Sequence, residues 1–151
     1  MRSNRPRIII AASGSGAGKT TVTVGLLHTL HTCFQEIKAH LTDGLFVNQE
    51  SLSLAAFKCG PDYIDPLFHQ HILKIPSDSL DLFFQGEKGT RGLFLRRSEQ
   101  ADLSGIEGVM GYYDGMRMDA AQGSKYHIAA LLQAPVILVV SARGKALSLA
   151  A

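Results

Sequence analysis

The sequence predicts a doubly wound α/β fold with a mostly parallel sheet, and three observations support this prediction. Short, continuously apolar runs, typical of strands buried on both faces, alternate with segments that have helical spacing. A Gly-rich turn joins the first apolar run directly to the first helical segment. The 151 residues, of which 46% are apolar and 19% charged, suit one domain with a hydrophobic core.

The elements can be placed in chain order. Apolar runs predict buried strands over residues 8–12, 54–58, 102–110 and 135–141. Helical spacing predicts helices from Lys19 onward, over 89–100 and over 125–133. The least regular stretch, 34–53, is expected to be a surface excursion between the first helix and the second strand.

Composition argues against several classes of protein. A formal net charge of +2, without a run of Lys or Arg, gives no support for nucleic-acid binding. No apolar run approaches the length of a membrane span, and the run at 8–12 is too short for a signal peptide. Cys33 and Cys59 form no Cys-x-x-Cys pair, so we expect reduced thiols and a cytoplasmic location rather than disulfides or a zinc site.

The stretch SGSGAGKTT, which follows the first strand, resembles the phosphate-binding pattern Gly-x4-Gly-Lys-Ser/Thr, with Ser13 in the first Gly place. Glycines at 14, 16 and 18 can take positive φ, so that backbone N–H groups curl toward a phosphate. The pattern predicts a fold of the P-loop NTPase type that binds ATP and Mg²⁺, with Lys19 at the β- and γ-phosphates and Thr20 at the metal. The residues expected to bind the nucleotide are Gly14, Ser15, Gly16, Ala17, Gly18, Lys19, Thr20 and Thr21.

A first group of charged residues follows the second strand, in FKCGPDYIDPLFH. Lys58, Asp62 and Asp65 lie at the carboxyl end of that strand, the edge where open α/β sheets bind ligands. The two acids could hold Mg²⁺ or position a substrate. Alternatively, Asp62 is a turn residue and Asp65 caps a helix that has Pro66 in its first position.

A second group follows the third predicted strand, in IEGVMGYYDG. Glu107 comes late in an apolar strand, where a carboxylate is costly unless it is paired or bound to a metal. Asp114 is expected over the same edge, although a Gly-rich surface turn would also explain it. His69 and His71 are expected to be solvated or capping residues, since no third metal ligand is evident.

Together these motifs resemble the N-terminal synthetase domain of the cobyrinic acid a,c-diamide synthase family, within the dethiobiotin synthetase-like branch of P-loop proteins. The resemblance rests on SGSGAGKTTVTVGLL, FKCGPDYIDPLFH, SDSLDLFF, ADLSGIEGVMGYYDG and APVILVVSARGKALS, which occur in the family's order. It covers nearly the whole chain. Residues 1–151 are therefore expected to be part of an ATP-dependent synthetase domain, without the family's C-terminal glutamine amidotransferase domain.

The resemblance implies ATP-dependent amidation of the a and c carboxylates of cobyrinate or hydrogenobyrinate, through an acyl phosphate, in cobalamin biosynthesis. A glutamine amidotransferase domain or partner chain would supply ammonia, and a homodimer is possible. Carried over by position, Thr20, Asp62 and Glu107 would hold Mg²⁺, and Lys58 would face developing phosphate charge. The substrate would meet Tyr63, Asp65 and Asp114, and the catalytic set would be Lys58, Asp62, Asp65, Glu107 and Asp114.

Other readings stay open from the residues alone. Within the enzyme class these are a nickel-sirohydrochlorin a,c-diamide synthase, a cobyric acid synthase and dethiobiotin synthetase. GPDYID and EGVMG favour a diamide synthase over the last two. Two alternatives are not ligases: a nucleotide-binding remnant and a partitioning-type ATPase switch. Gly14 argues against the switch, because such ATPases have a signature Lys at that position.

Overall fold

The computed structural model describes residues 5–41, 52–115 and 121–144, with the side chains of the first range described through residue 32. The described parts contain five strands and four helices in alternation. They are β1 (Arg7–Ala12), α1 (Lys19–Leu41), β2 (Leu54–Cys59), α2 (Ile64–His71), β3 (Ser77–Leu80), α3 (Leu82–Arg97), β4 (Leu103–Glu107), α4 (Lys125–Leu132) and β5 (Val136–Val139).

The strands form one parallel sheet in the order β3-β2-β4-β1-β5. Its register brings three residues that are distant in the sequence side by side, because Glu107 of β4 pairs with Lys58 of β2 and with Ile10 of β1. All strands point the same way, so the loops after β1, β2 and β4 meet at one edge of the sheet.

Apolar residues fill both faces of the sheet. One core cluster joins Phe57 and Ile106 to Phe94 of α3 and Ile128 of α4, and the other centres on Leu27 of α1. A β-carbon at Gly105 would lie 2.8 Å from Leu27 Cδ2, so the lack of a side chain there lets α1 pack close to β4. The α/β fold predicted from the sequence is confirmed, with a wholly parallel sheet in the described residues.

Several predicted bounds were wrong. Helix α3 begins at Leu82, earlier than residue 89, because Asp81 caps a short first segment by accepting hydrogen bonds from Phe83 N and Phe84 N. Gly86, with φ of 62° and ψ of 176°, is non-helical and kinks α3 between this segment and the part that ends at Arg97. Strand β4 is shorter than 102–110 and ends at Glu107. Helix α1 continues to Leu41, so residues 34–41 are helical, and the rest of the predicted excursion up to residue 51 lies outside the described residues.

Helix α2 was offered from the sequence only as an alternative to a metal-binding turn, and strand β3 was not predicted. Helix α2 carries Pro66 in its first turn, and β3 reads SDSL, which lacks the apolar run of a buried strand. The last predicted strand, β5, is present but is not buried on both faces: Ile137 is 39% and Leu138 50% exposed. The reason is that β5 forms an edge of the sheet within the described residues.

Among the described helices, none is both long enough and apolar enough to cross a membrane.

Candidate active site

The loop between β1 and α1 has the backbone that phosphate binding requires. Gly16 and Gly18 have φ values of 74° and 97°, while Gly14 does not have a positive φ. Ser13 also avoids positive φ, so its side chain causes no backbone strain in the first place of the motif. A β-carbon at any of the three glycines would meet no atom within 4 Å, so there is room beside the loop for a ligand.

Lys19 lies at the start of α1 with its ammonium turned back over this loop. Its Nζ donates to the carbonyl oxygens of Gly14 at 2.9 Å and Met110 at 2.7 Å. Burial, and next the charge of Lys58, lowers the pKa of Lys19, against the opposing effect of Glu107 and Asp114. A bound phosphate would supply the anion that this buried cation lacks.

Glu107, at the end of β4, contacts both the neighbouring strand β2 and the start of α1 after the phosphate loop. Its side chain is fully buried at the end of β4, and its Oε1 accepts hydrogen bonds from Thr20 Oγ1 at 2.6 Å and Lys58 Nζ at 2.8 Å. Its Oε2 has no hydrogen-bond partner among the described residues. A buried carboxylate with a free oxygen beside a phosphate-loop Thr suits a divalent cation.

Lys58 is held between two acids. It is 4% exposed and forms ion pairs with Glu107, in register on the neighbouring strand, and with Asp65 in the first turn of α2. Burial acts to lower the pKa of Lys58, but the hydrogen bonds and charges of the two acids outweigh it and raise the pKa. Lys58 is therefore a permanent positive charge at this edge in the neutral pH range.

The two acids of GPDYID have different surroundings. Asp65 does not cap α2, since the N-cap position belongs to Tyr63, and its carboxylate instead pairs with Lys58. Asp62 Oδ1 accepts a hydrogen bond from Ile64 N at 2.9 Å, which is the turn role allowed for it from the sequence. In the described residues Asp62 makes no hydrogen bond to Thr20 or Glu107, so the structure does not join the three residues predicted to hold Mg²⁺.

Asp114 and Tyr63 lie at the exposed rim of the same edge. Asp114 Oδ2 accepts a hydrogen bond from Gly111 N at 2.6 Å, and its carbonyl oxygen accepts one from Lys125 Nζ at 3.0 Å. Tyr63 is 76% exposed. Ser15 and Thr21 are exposed on the phosphate loop and the start of α1.

His69 was misjudged from the sequence. It is fully buried rather than solvated, with Nδ1 3.2 Å from Ser77 Oγ and Nε2 3.9 Å from Glu107 Oε2. Burial lowers the pKa of His69, so the ring is neutral near pH 7. The only sequence signal was its position four residues after Asp65 in α2, which puts both residues on one face of the helix. His71, by contrast, is exposed as expected.

Lys125 was not singled out from the sequence either. It opens α4 and is 5% exposed, and burial lowers its pKa. Its signal was weak, since a Lys that follows the capping residue Ser124 usually extends into solvent.

The described residues contain no cluster of three or more His, Cys, Asp or Glu side chains that could hold a metal ion. A Mg²⁺ ion that binds together with a nucleotide needs only one or two protein ligands, because phosphates and water complete its coordination. Thr20 and Glu107 are the pair in contact that could provide such ligands.

Three curated relatives give the same match. The chain is 39% identical over 143 residues to the cobyrinate a,c-diamide synthase of Caldanaerobacter subterraneus subsp. tengcongensis, a match that covers 95% of the chain. It is 40% identical over 146 residues to the proteins of that name from Listeria monocytogenes serotype 4b and Syntrophotalea carbinolica, covering 96% and 97% of the chain. The chain is similar to one part of the cobyrinate a,c-diamide synthases. The resemblance expected from the sequence motifs is thereby confirmed.

The match covers only part of these relatives. The chain spans between 27% and 28% of the length of the cobyrinate a,c-diamide synthases named above. No family model matches the chain. No solved structure matches it either.

Proposed function

We propose that this chain provides the nucleotide-binding and carboxylate-activating part of an ATP-dependent amidation of the a and c carboxylates of cobyrinate or hydrogenobyrinate. The observation that carries the proposal is the convergence of Thr20 and Lys58 on one oxygen of the buried Glu107, beside the phosphate loop. Support also comes from relatives named cobyrinate a,c-diamide synthase, which match nearly the whole chain.

The nucleotide is assigned to the phosphate loop. Residues 14–21 would hold its phosphates through backbone N–H groups and Lys19, and Thr20 and Glu107 would hold Mg²⁺. Mg·ATP would transfer its γ-phosphoryl group to a substrate carboxylate, giving ADP and an acyl phosphate. Ammonia would then attack the acyl carbon and displace inorganic phosphate, leaving the amide. A free carboxylate reacts poorly with ammonia, so this activation is the step that the chain must promote.

Lys58 is proposed to neutralise charge on the phosphoryl group during transfer. Transfer of this kind depends on positioning and electrostatic stabilisation more than on covalent chemistry. Asp65 and Glu107 keep the Lys58 ammonium charged and in one place, since both form ion pairs with it. The geometry therefore supports a preorganised cation rather than a mobile one.

The macrocyclic substrate is assigned to the rim of the sheet edge. Large apolar side chains are exposed there after β2, β3 and β4: Tyr63, Ile64, Phe83, Phe84, Met110 and Tyr113 are between 57% and 79% exposed. An exposed apolar surface beside a polar site suits a flat ligand that carries charged groups at its margin. Asp114 and Tyr63 would contact the substrate at this rim.

The test is a direct assay of the purified protein with Mg·ATP, ammonium chloride and cobyrinate. We expect ADP and an amidated product. Mass spectrometry should show the product lighter than the acid by about 1 Da for each carboxylate converted, because O–H is replaced by N–H₂. Ammonium chloride supplies ammonia directly, so the assay does not need a domain or partner chain that releases ammonia from glutamine. ATP binding without ADP formation in the presence of cobyrinate, hydrogenobyrinate or nickel sirohydrochlorin would refute a ligase role and favour a nucleotide-binding remnant.

A further inference from the structure

A small cleft lies next to the phosphate loop, on the side of α3 and α4. Its volume is about 270 Å³, and its apolar walls include Leu82, Phe83, Phe84 and Ile128. This is below the range of roughly 300–1,000 Å³ that encloses a drug-sized ligand. The cleft is therefore too small for a macrocycle but suits a side arm of one.

Lys125 lines this cleft and is the unusual residue in it. It is 5% exposed, and within the described residues its ammonium makes a single hydrogen bond, to the carbonyl oxygen of Asp114 at 3.0 Å. An ammonium has three N–H donors, and a buried cation with unfilled donors is costly. Burial lowers the pKa of Lys125 against the opposing charge of Asp114, and an anionic ligand would offset the cost of burying the ammonium.

The two carboxylates that line the cleft already accept backbone hydrogen bonds. Asp81 Oδ1 accepts hydrogen bonds from the backbone N–H groups at the start of α3, and Asp114 Oδ2 accepts one from Gly111 N. Cys59, which also lines the cleft, has its pKa raised to about 12 by burial and is a neutral thiol. Lys125 is thus the group in the cleft wall with hydrogen-bond donors to spare.

The cleft also adjoins the nucleotide site. Met110 lines it, and the carbonyl oxygen of Met110 accepts a hydrogen bond from Lys19 of the phosphate loop. Lys19 and Lys125 therefore bond to opposite ends of the short segment from Met110 to Asp114. A substrate anchored at Lys125 would lie beside the phosphate loop.

We propose that the cleft around Lys125 binds a carboxylate side arm of the substrate that is not itself being amidated, with the Lys125 ammonium as its partner and apolar walls from α3 and α4. The proposal rests on the proposed function, since the ligand is the polycarboxylate macrocycle assigned there. Lys125 is a specificity-determining residue in this account: it anchors one arm so that another reaches the phosphate loop.

The first test measures binding of cobyrinate to the purified protein by isothermal titration calorimetry, without ATP, so that its outcome does not depend on catalysis. Lys125→Met keeps the length of the side chain and removes the charge. We expect it to bind cobyrinate about tenfold more weakly or worse, because a charged hydrogen bond is lost, while its affinity for Mg·ATP is unchanged. Lys88→Met, at an exposed site on α3, is the matched control and should bind like wild type.

Two results of this test would overturn the proposal. One is wild-type affinity for cobyrinate in a folded Lys125→Met variant, with folding checked by circular dichroism. The other is a loss confined to Mg·ATP, which would assign the anion at Lys125 to a nucleotide phosphate instead of a carboxylate.

A second test uses wild-type protein and so does not depend on the folding of a variant. The protein is acetylated with acetic anhydride, and modification of each lysine is mapped by mass spectrometry. Saturating cobyrinate should reduce acetylation of Lys125 several-fold, whereas fully methyl-esterified cobyrinate should not. Equal acetylation of Lys125 with and without cobyrinate would contradict the proposal, while failure of the ADP assay alone would bear only on the proposed function.

Discussion

Thr20 and Glu107 are 87 residues apart in the sequence, and their side chains are joined by a 2.6 Å hydrogen bond. The bond connects the start of α1 to the end of β4, so it ties the phosphate loop to the buried carboxylate. Glu107 lies at that place because the parallel register puts it beside Ile10 of β1, just before the loop begins. Removing the Thr20 hydroxyl should therefore disturb the proposed Mg²⁺ site without unfolding the sheet.

Thr20→Val tests this relation. We expect activation by Mg²⁺ in the ADP-release assay to be weaker by about tenfold or more, because the proposed metal ligand is lost and Glu107 loses a hydrogen-bond donor. Thr29→Val, at an exposed position further along α1, is the control and should show wild-type Mg²⁺ dependence. An unchanged Mg²⁺ titration in Thr20→Val would contradict the assignment of Thr20 to the metal.

Lys58→Met tests the buried ion pairs. Removing the ammonium leaves Glu107 and Asp65 without their cation, and breaking a buried pair from one side costs about 3–5 kcal/mol of unfolding free energy. Urea denaturation would measure this loss, with Lys88→Met as a control within about 0.5 kcal/mol of wild type. Adding Glu107→Leu to Lys58→Met should recover part of the stability, since the unpaired acid is then gone. A Lys58→Met variant as stable as Lys88→Met would show that the pairs are not structurally important.

His69→Gln tests how the buried imidazole affects the pH dependence of the free energy of unfolding. Burial lowers the pKa of His69 below 6.5 in the folded protein, so the unfolded chain binds the extra proton first as the pH falls. Stability should therefore decrease as the pH drops below about 6.5. In His69→Gln this contribution is absent, and the stability curve between about pH 7 and pH 5 should be flatter than in wild type. His71→Gln, an exposed histidine on the same helix, should keep the wild-type curve, and equal slopes in all three proteins would contradict the account.

Cys59 should be chemically inert in the folded protein. Burial raises its pKa to about 12, so almost no thiolate forms up to about pH 9. We expect iodoacetamide to leave Cys59 unmodified in native protein at about pH 8.5 and to alkylate it in urea, as shown by peptide mapping. Rapid alkylation of Cys59 in the native state would mean that the centre of the sheet opens far more readily than its packing indicates.

Much of the fold could be predicted because apolar runs and Gly-rich turns are local signals. The strands β1, β2 and β4 and the helices α1 and α4 have such signals. Strand β3 has none: SDSL forms a strand because its backbone pairs with β2, which is a tertiary effect. The exposure of β5 likewise depends on its place in the sheet order and cannot be read from VILV.

The same distinction between local signals and tertiary effects applies to the candidate site. Lys19, Thr20 and Glu107 follow from a motif and from the rarity of a carboxylate late in an apolar strand. The pairing of Asp65 with Lys58, rather than with a helix end, depends on how α2 docks on the sheet. Burial of His69 and Lys125 could not be foreseen, because polar residues on short helices are usually solvated and only packing shows otherwise.

The central claim is that Glu107 organises a site that uses ATP to activate a carboxylate of the substrate. The most direct measurement is cobyrinate-dependent ADP release by wild type and by Glu107→Gln, with Glu99→Gln, at an exposed site after α3, as the matched control. The account predicts that Glu107→Gln loses ADP release on the order of a hundredfold while Glu99→Gln does not. Wild-type ADP release by a folded Glu107→Gln variant would contradict it.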